Sequence, residues 1–543
     1  MRTFFARYAS LPLLLVVASW ALLAPGSLQA QKDKPTFVIR MAPIDNLMGD
    51  VLHLAKVIGR EGEVQLAETL LKNFTGGSGV EGLDSTKPWG VYGKVGPGGI
   101  DSEGVLMVPI ADKKKFLGFL EKVGQKPEEK KGLYTLNIDQ SPFPLFFRFE
   151  KGYLWGTIRD EKSIDIDTLP DTGRLLAADK IGSMSLTFDF AEIPEEIKKM
   201  VIGQVEVAIG QAKEKALEEK DPIRRRGQVV GGEGAGATMI QMLKEGGELS
   251  LKLDLNKASN DLGLEVSFEG KPGSNLAKDL VQLGTRKGVS GGLAGEDSAY
   301  SLGMNFGVSK SFANLLLDGY NQGIIDGLTK VTDAKQREFA IKVADTIKPF
   351  LALGVLDFGF DVRGPAANGK FNIIGALAFP EAKKLEELVR NLKAENPEVG
   401  KLIQLDVAKT DKLTIHRIIV EPLPKEPRDI FGNGPLLVGI ADNAIYFGLG
   451  SEGQKNIETQ AAKGKTTSAL FGFDMHIARF VSLMAKNQPE ALGAARKAFD
   501  GKSGQDLVEI KASSGKKLVV KFSMKTQVLA FFVGLRGVID QSR

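Results

Sequence analysis

The chain has 543 residues, of which 43% are hydrophobic and 25% charged; this is the composition of an ordinary globular protein with the length of two to four domains. The formal net charge is +4, or +2 without the two arginines of the N-terminal leader, and lysine and glutamate alternate throughout, which argues against a nucleic-acid partner or an anionic membrane surface. Cysteine is absent, which excludes disulfides, thiolate metal sites, a cysteine nucleophile and a lipid-modified N-terminal cysteine.

Residues 1–30 have the pattern of a secretory signal peptide. Arg2 and Arg7 form a basic start, Leu11–Leu23 forms an apolar centre, and small residues precede a cleavage site after Ala30. An uncleaved anchor is the alternative, but the apolar run is short and a proline interrupts it. No later segment reaches about 18 uninterrupted apolar residues. We therefore expect a protein exported to the periplasm or the extracellular space, with no membrane span after signal removal.

Two stretches far apart in the chain have the same pattern. Pro144–Thr157 reads PLFFRFEKGYLWGT and Pro435–Gly448 reads PLLVGIADNAIYFG. Each begins with Pro-Leu, continues in apolar residues, and has a two-residue turn of the Gly or Asn type before an aromatic residue, Trp155 or Tyr446. Such turns between apolar runs predict β-hairpins.

The predicted elements around the two hairpins follow one order. It comprises a strand, a helix, two strands, a helix, a strand, the hairpin, a strand, a helix, two strands and a final helix. Ser185–Phe190 (SLTFDF) matches Leu470–Met475 (LFGFDM), which places Asp189 opposite Asp474. The helix before each hairpin has an apolar stripe at helical spacing, and such a stripe predicts packing on a sheet: Phe116, Phe119, Leu120 and Val123, against Leu385, Leu388, Val389 and Leu392.

These observations predict an α+β fold of two tandem copies of one module, each a mainly antiparallel sheet packed by amphipathic helices. The first module spans 31–285, with a mobile glycine-rich insertion at 224–247. Residues 286–297 are predicted to be a linker, and 298–543 form the second module. Insertions between elements are tolerated more easily than insertions within them.

Ser290 lies in Gly288-Val289-Ser290-Gly291-Gly292, which fits the G-x-S-x-G pattern of a hydrolase nucleophile. That chemistry requires a strand before the serine and a helix after it, so that a tight turn exposes the hydroxyl to a histidine base. The flanking residues here are typical of a linker. A serine in a glycine-rich linker is the simpler interpretation.

Asp474 and His476 place a carboxylate and an imidazole near the start of a predicted helix. They could serve as an acid–base pair. Because Asp189 also follows a phenylalanine at a strand end, helix capping explains the aspartates without catalysis.

Three further patterns occur in the chain. The first two predict no cofactor and no metal, and the third concerns an apolar segment. Gly232–Ala237 meets the G-x-G-x-x-A form of a dinucleotide loop, but the preceding strand is too short for a βαβ unit. His53, His416 and His476 have no metal-site spacing. Val528–Leu535 is apolar on nearly all sides, which indicates either a buried helix or one that covers an apolar surface or ligand.

The layout of leader, paired strands, Phe116 helix and Pro-Leu hairpin resembles that of secreted bacterial proteins built from domains of unknown function, found among others in planctomycete-like genomes. The resemblance covers nearly the full mature length. It implies export and repeated sheet-and-helix modules, and it carries no site residues.

From these features we expect a non-catalytic envelope protein that binds or scaffolds a partner protein or an apolar small-molecule ligand. The alternative is a secreted hydrolase that uses Ser290 or the Asp474–His476 pair.

Overall fold

The computed structural model of the protein describes residues 34–65, 69, 81–97, 102–137, 143–158, 160–308, 310–329, 331–395, 397–419, 425–484 and 489–542. The predicted signal peptide, residues 1–30, lies outside this part of the chain. The fold is α+β. Contacts between residues divide the described chain into two units: residues up to Val205 with Ile240–Leu276, and Glu206–Met239 with Ala277 to the C-terminal end.

The first unit contains an antiparallel sheet. Its strands run in the order β4-β5-β6-β7-β3-β2-β1-β8-β9-β10. The bounds are β1 Phe37–Met41, β2 Trp89–Lys94, β3 Glu103–Pro109, β4 Glu128–Lys130, β5 Leu133–Leu136, β6 Leu145–Glu150, β7 Tyr153–Ile158, β8 Met184–Asp189, β9 Gly246–Asn256 and β10 Asp261–Gly270.

The main sheet of the second unit is also antiparallel. Its order is β15-β16-β17-β18-β14-β13-β12-β20-β21-β22, and β11 pairs separately with β19. The bounds are β11 Lys287–Gly288, β12 Ser298–Gly307, β13 Val355–Arg363, β14 Asn372–Ala378, β15 Ile403–Lys409, β16 Thr414–Ile418, β17 Leu436–Ala441, β18 Ala444–Leu449, β19 Thr466–Thr467, β20 Phe471–His476, β21 Leu507–Ser513 and β22 Lys517–Lys525.

The strand order is the same in the two main sheets. Both predicted hairpins form, as β6–β7 and β17–β18, with two-residue turns. Lys151 and Gly152 both have positive φ (53° and 77°), as the favoured hairpin turn requires. The strands β4 and β15, at one edge of each sheet, were not predicted. The shared order supports an internal duplication, which stays a prediction.

The helix that contains Phe116 packs on the first sheet through its predicted stripe, because Phe116 and Leu120 lie against the cluster that contains Phe147 and Leu154. In the corresponding helix of the second unit, Ala382, which lies outside the predicted stripe, packs with Phe379 and Ile440. The helix bounds are α1 Ile44–Val57, α2 Lys113–Lys122, α3 Thr172–Leu175, α4 Glu195–Ala216, α5 Pro222–Glu245, α6 Asn275–Gly284, α7 Lys310–Leu328, α8 Ala334–Ala352, α9 Ala382–Glu395, α10 Pro397–Lys401, α11 Lys425–Phe431, α12 Gly453–Lys463, α13 Ile477–Met484, α14 Pro489–Phe499 and α15 Gln527–Ser542. Within the described residues, no helix is long and apolar enough to cross a bilayer.

The predicted glycine-rich loop at 224–247 is wrong, because Pro222–Glu245 is helix α5. Asp221 caps this helix: its carboxylate accepts hydrogen bonds from the main-chain nitrogens of Ile223 (2.8 Å) and Arg224 (3.2 Å). Proline at the first helical position also favours a helix start. The glycines lower helix propensity by roughly 1 kcal/mol each relative to alanine, and the cap and packing outweigh that penalty.

The C-terminal helix α15 is buried on one side only. Val528 and Phe531 pack against α13 and α14, whereas Phe532 is 52% exposed. The sequence pattern predicted full burial or coverage of an apolar surface, and the structure shows a helix that is half core and half open.

Two glycines of the second sheet, Gly375 and Gly472, differ in the space around them. Gly375 on β14 lies opposite Phe447 on β18, and a Cβ atom at Gly375 would overlap the phenylalanine ring. We expect Gly375→Ala to destabilise the protein by about 1–3 kcal/mol in denaturant unfolding. Gly472→Ala is the control, because the same atom at Gly472 in β20 meets open space; equal losses for both variants would contradict this packing argument.

Candidate functional site

The predicted linker 286–297 is wrong, because this segment is part of the second unit's core. Lys287–Gly288 pairs with Thr466–Thr467, and Val289 and Leu293 are buried in the cluster that contains Tyr446. Glycine content suggested a flexible connection. The side chains of Val289 and Leu293 instead pack in an apolar cluster. Buried polar side chains form hydrogen bonds with the main-chain groups of the segment.

Ser290 is held by a buried carboxylate rather than by a histidine. Its hydroxyl donates to Asp357 Oδ1 at 2.7 Å, and its main-chain nitrogen donates to the same oxygen at 3.1 Å. The nitrogen of Val289 donates to Asp357 Oδ2 at 2.8 Å. Ser290 is 7% exposed and Asp357 3%. A nucleophile elbow presents its hydroxyl to an imidazole; this geometry instead uses the hydroxyl to anchor the segment.

Further side chains surround the same segment and donate to its carbonyls, among them Gln460 and Arg363. Gln460 Nε2 donates to the carbonyls of Val289 (3.0 Å) and Gly291 (2.9 Å), and Arg363 Nη2 donates to that of Leu293 (2.7 Å). Arg363 also donates to Asp361, a carboxylate near it on β13, at 2.7 Å. Burial raises the pKa of Asp361 to about 6 in spite of this partner. The arrangement is a buried polar network around the incoming chain.

His476 pairs with an aspartate that the sequence did not indicate. Its Nδ1 lies 3.1 Å from Asp506 Oδ1, and the other oxygen of Asp506 accepts from the nitrogen of Ala478 at 3.2 Å. Burial raises the pKa of Asp506, but the hydrogen bond and charge of His476 outweigh burial, and the net pKa is lowered. Asp506 therefore orients the imidazole and caps helix α13 at once.

Asp474 lies inside β20 and does not cap a helix. Lys511 Nζ approaches its Oδ1 at 3.9 Å, and Glu509 is its partner across the β20–β21 ladder. Burial raises the pKa of Asp474, and Glu509 adds to this while Lys511 opposes it. Asp474 and His476 thus have different partners, and the structure does not join them into one acid–base pair.

The predicted match of Asp189 with Asp474 is two residues out of register. In the first unit, the paired residues across β7, β3, β2, β1 and β8 lead from Thr157 to Thr187. In the second unit, the paired residues across β18, β14, β13, β12 and β20 lead from Gly448, the counterpart of Thr157, to Asp474. The Phe-Asp pattern suggested the other match. Asp189 itself caps a short 3₁₀ turn, where its side chain accepts from the nitrogen of Ala191 at 2.9 Å.

A charged cluster in the second unit was missed by the sequence analysis. Glu386 and Arg390 come from α9, Asp406 from β15 and His416 from β16. Arg390 donates to Glu386 Oε1 through Nε (3.1 Å) and to Asp406 Oδ2 through Nη1 (2.8 Å). The i, i+4 spacing of Glu386 and Arg390 was a readable signal, whereas nothing in the sequence indicated that Asp406 would join them.

His416 is 3% exposed at the centre of this cluster. Its Nδ1 accepts a hydrogen bond from the main-chain nitrogen of Asp406 at 3.1 Å, so the neutral ring carries its proton on Nε2. That Nε2 lies 3.5 Å from Glu386 Oε1. Burial lowers the pKa of His416, and Arg390 lowers it further while Glu386 and Asp406 oppose them.

The acidic groups and imidazole of this cluster lie within 4.8 Å of one another, close enough to share a cation. That cation is the guanidinium of Arg390, whose hydrogen bond holds the pKa of Asp406 below its usual range. The cluster borders a pocket of about 410 Å³, and lysines such as Lys409 and Lys412 also line it. The arrangement is an ion-pair network at the edge of the sheet.

Gly232–Ala237, the predicted pattern of a dinucleotide loop, lies within helix α5. A dinucleotide fingerprint requires a turn between a strand and a helix. This segment therefore lacks the geometry for the phosphate chemistry that its pattern suggests.

Comparisons of the chain with family models, with curated proteins and with solved structures found no match. The function has to be argued from the residues themselves.

Proposed function

We propose that this protein is a non-catalytic exported envelope protein that acts as a binding or scaffolding module. The observation that carries the proposal is how the polar side chains predicted for catalysis are used. The hydroxyl of Ser290 anchors a buried segment to Asp357, and Asp474 and His476 have separate partners. The hydroxyl of Ser290 and the imidazole of His476 are thus engaged by buried or half-buried carboxylates of the fold.

Exposed apolar side chains on the helices support a partner-binding role. Extensive exposed apolar surface marks interaction sites in soluble proteins. In the second unit, exposed apolar side chains lie on the long helices α4, α5, α7 and α8 and on α15. The residues are Val207, Met239, Phe312, Leu316, Ile325, Ile341, Phe532 and Val533.

The pockets favour a protein partner over an apolar small molecule. A pocket of about 590 Å³ has a mixed lining, in which Arg226, Asp318, Asp345 and Lys348 lie beside Leu317, Pro349 and Ala352. The pocket of about 410 Å³ beside Arg390 is also charged. Ligand sites for apolar molecules are lined mainly by hydrophobic side chains.

Export is proposed from the leader alone, with its two arginines and apolar centre. Intact mass of the protein purified from its own host tests it. We expect a chain that begins after Ala30, and a chain that retains its leader would contradict cleavage.

A secreted hydrolase is the alternative, and the His476–Asp506 pair favours it. A carboxylate that orients an imidazole is how a general base is prepared in many hydrolases. The described contacts of His476 and Ser290 do not bring these two side chains to one another.

One experiment separates the two proposals. Native mass spectrometry of the full chain from its own host is combined with ester and peptide hydrolysis assays of the parent, Ser290→Ala and His476→Ala. We expect a companion protein as added mass and no turnover that either substitution abolishes. Turnover that is lost in His476→Ala while the variant keeps the parent's circular dichroism would overturn the binding proposal.

A further inference from the structure

The edge strand β15 contains a bulge that one imidazole holds. Gln404 pairs with Arg417 and Ala408 pairs with Ile415, so three residues of β15 lie opposite the single residue His416. Asp406, the middle residue, has φ +56°, a conformation that is unfavourable for a residue with a side chain. Its main-chain nitrogen bonds to the imidazole Nδ1. β-bulges are frequent at sheet edges, where they are features of the fold and not defects.

We propose that His416 is an acid-sensitive pin for the edge of the second sheet, and that proton uptake by its imidazole releases the bulge at Asp406. This inference goes beyond the binding role and does not depend on it.

The chemistry of the ring gives the mechanism. The neutral imidazole offers one lone pair, at Nδ1, and the nitrogen of Asp406 donates to it at 3.1 Å. An imidazolium donates at both nitrogens and accepts at neither. Two donors then face each other, and the hydrogen bond that holds Asp406 in its strained conformation is lost.

The charged groups around the ring determine how the cluster rearranges when the imidazole takes up a proton. Glu386 and Arg390 face it from α9, Asp406 faces it from β15 at 3.9 Å from Nδ1, and Val438 opposite it on β17 is uncharged. An imidazolium would attract the two carboxylates that Arg390 now holds. The imidazolium therefore competes with the Arg390 guanidinium for these carboxylates. Arg390 lines the charged pocket, which gives its side chain space to move.

The sign of the pH dependence follows from burial. The pKa of His416 is lowered in the folded protein, so the unfolded or opened chain takes up a proton first as pH falls. The stability of this edge is fully present above the ordinary histidine pKa of about 6.5 and is lost as pH falls through and below it.

The first unit supplies a matched control edge. Tyr134 lies on β5 opposite the third residue of its hairpin strand, as His416 does on β16. Its hydroxyl donates to Glu129 on the edge strand β4 at 2.7 Å. A tyrosine ring has no nitrogen that accepts a proton, so the same position in the first unit lacks the group that the proposal requires.

Hydrogen exchange of the full chain, read by mass spectrometry at about pH 7.5 and about pH 5 and corrected for the intrinsic pH dependence, tests the proposal. We expect protection of 403–409 to fall on the order of tenfold at the lower pH, because the opened edge takes up a proton more readily than the folded one. Protection of 128–136 should change little. An unchanged 403–409 segment, or an equal loss at both edges, would overturn the proposal.

His416→Asn adds a second arm. An asparagine side-chain oxygen can accept near the Nδ1 position and does not titrate, so the pH response of 403–409 should disappear. A variant that responds like the parent would assign the response to Glu386 or Asp406 and exclude the imidazole. If the variant does not fold, the comparison of the two edges in the unmodified chain still decides.

Discussion

Asp357→Ala is expected to lower the free energy of unfolding by about 3–5 kcal/mol. The substitution leaves two buried main-chain N–H groups, at Val289 and Ser290, without an acceptor. It also removes the shorter of the two hydrogen bonds of the Ser290 hydroxyl, which keeps the carbonyl of Met304 at 3.3 Å. Each unsatisfied buried donor costs about 1–3 kcal/mol, and relief of the buried carboxylate's own desolvation offsets part of the sum. The measurement is urea unfolding followed by circular dichroism, with the slope compared between variants.

Two further variants define what the carboxylate does. Ser290→Ala removes one hydroxyl and leaves both main-chain donors bonded, so a loss of about 1 kcal/mol is expected. Asp500→Ala removes an exposed aspartate in the same unit and should change stability by less than about 0.5 kcal/mol. A loss for Asp357→Ala no larger than for Asp500→Ala would mean that segment 287–297 is not held by this network.

The sequence predicted the elements best where apolar residues recur at the spacing of a strand or a helix. The hairpins at β6–β7 and β17–β18 and the stripe of α2 that contains Phe116 follow from this periodicity. Trp155 and Tyr446, which the two copies of the pattern align, are both buried in core clusters. The tertiary contacts agree with the local pattern at these positions.

The predictions failed in two glycine-rich segments, where the glycine content suggested a flexible chain but a few other residues determine the structure. At 286–297, two apolar side chains and their buried acceptors fix the chain. At 222–245, a single aspartate cap and a helix partner do so. Glycine-rich composition describes what the isolated chain can do. It does not reveal contacts with residues such as Asp357 or Gln460, which lie tens of residues or more away in the sequence.

The charged cluster at His416 was beyond sequence reasoning for a related reason. The fold brings α9, β15 and β16 together at one edge, and the chemistry at this edge differs between the units: Tyr134 and Glu129 in the first, His416 and Asp406 in the second. Both arrangements tie an edge strand to its neighbour. The two edges therefore carry a link at the same position with different chemistry, and such a difference can give two similar units different properties.

Trp155→Ala should be the most damaging single substitution in the first unit, with an expected loss of roughly 3–5 kcal/mol. Trp155 is fully buried on β7, its indole nitrogen donates to the carbonyl of Glu150 at 3.1 Å, and its ring meets Tyr92 edge-on at 6.2 Å between centroids. Truncation would leave a cavity between the sheet and the residues that cover it. Denaturant unfolding by circular dichroism measures the loss.

The matched substitution in the second unit is Tyr446→Ala, at the same position of the second hairpin and also buried. We expect a smaller loss than for Trp155→Ala, because tyrosine fills less volume than tryptophan. Leu217→Ala, at a side chain 68% exposed, should stay within about 0.5 kcal/mol. If Trp155→Ala matched Leu217→Ala, the first core could not be centred on the hairpin. If only one of Trp155→Ala and Tyr446→Ala lowered the free energy of unfolding, the corresponding hairpin faces would not contribute equally to the cores of the two units.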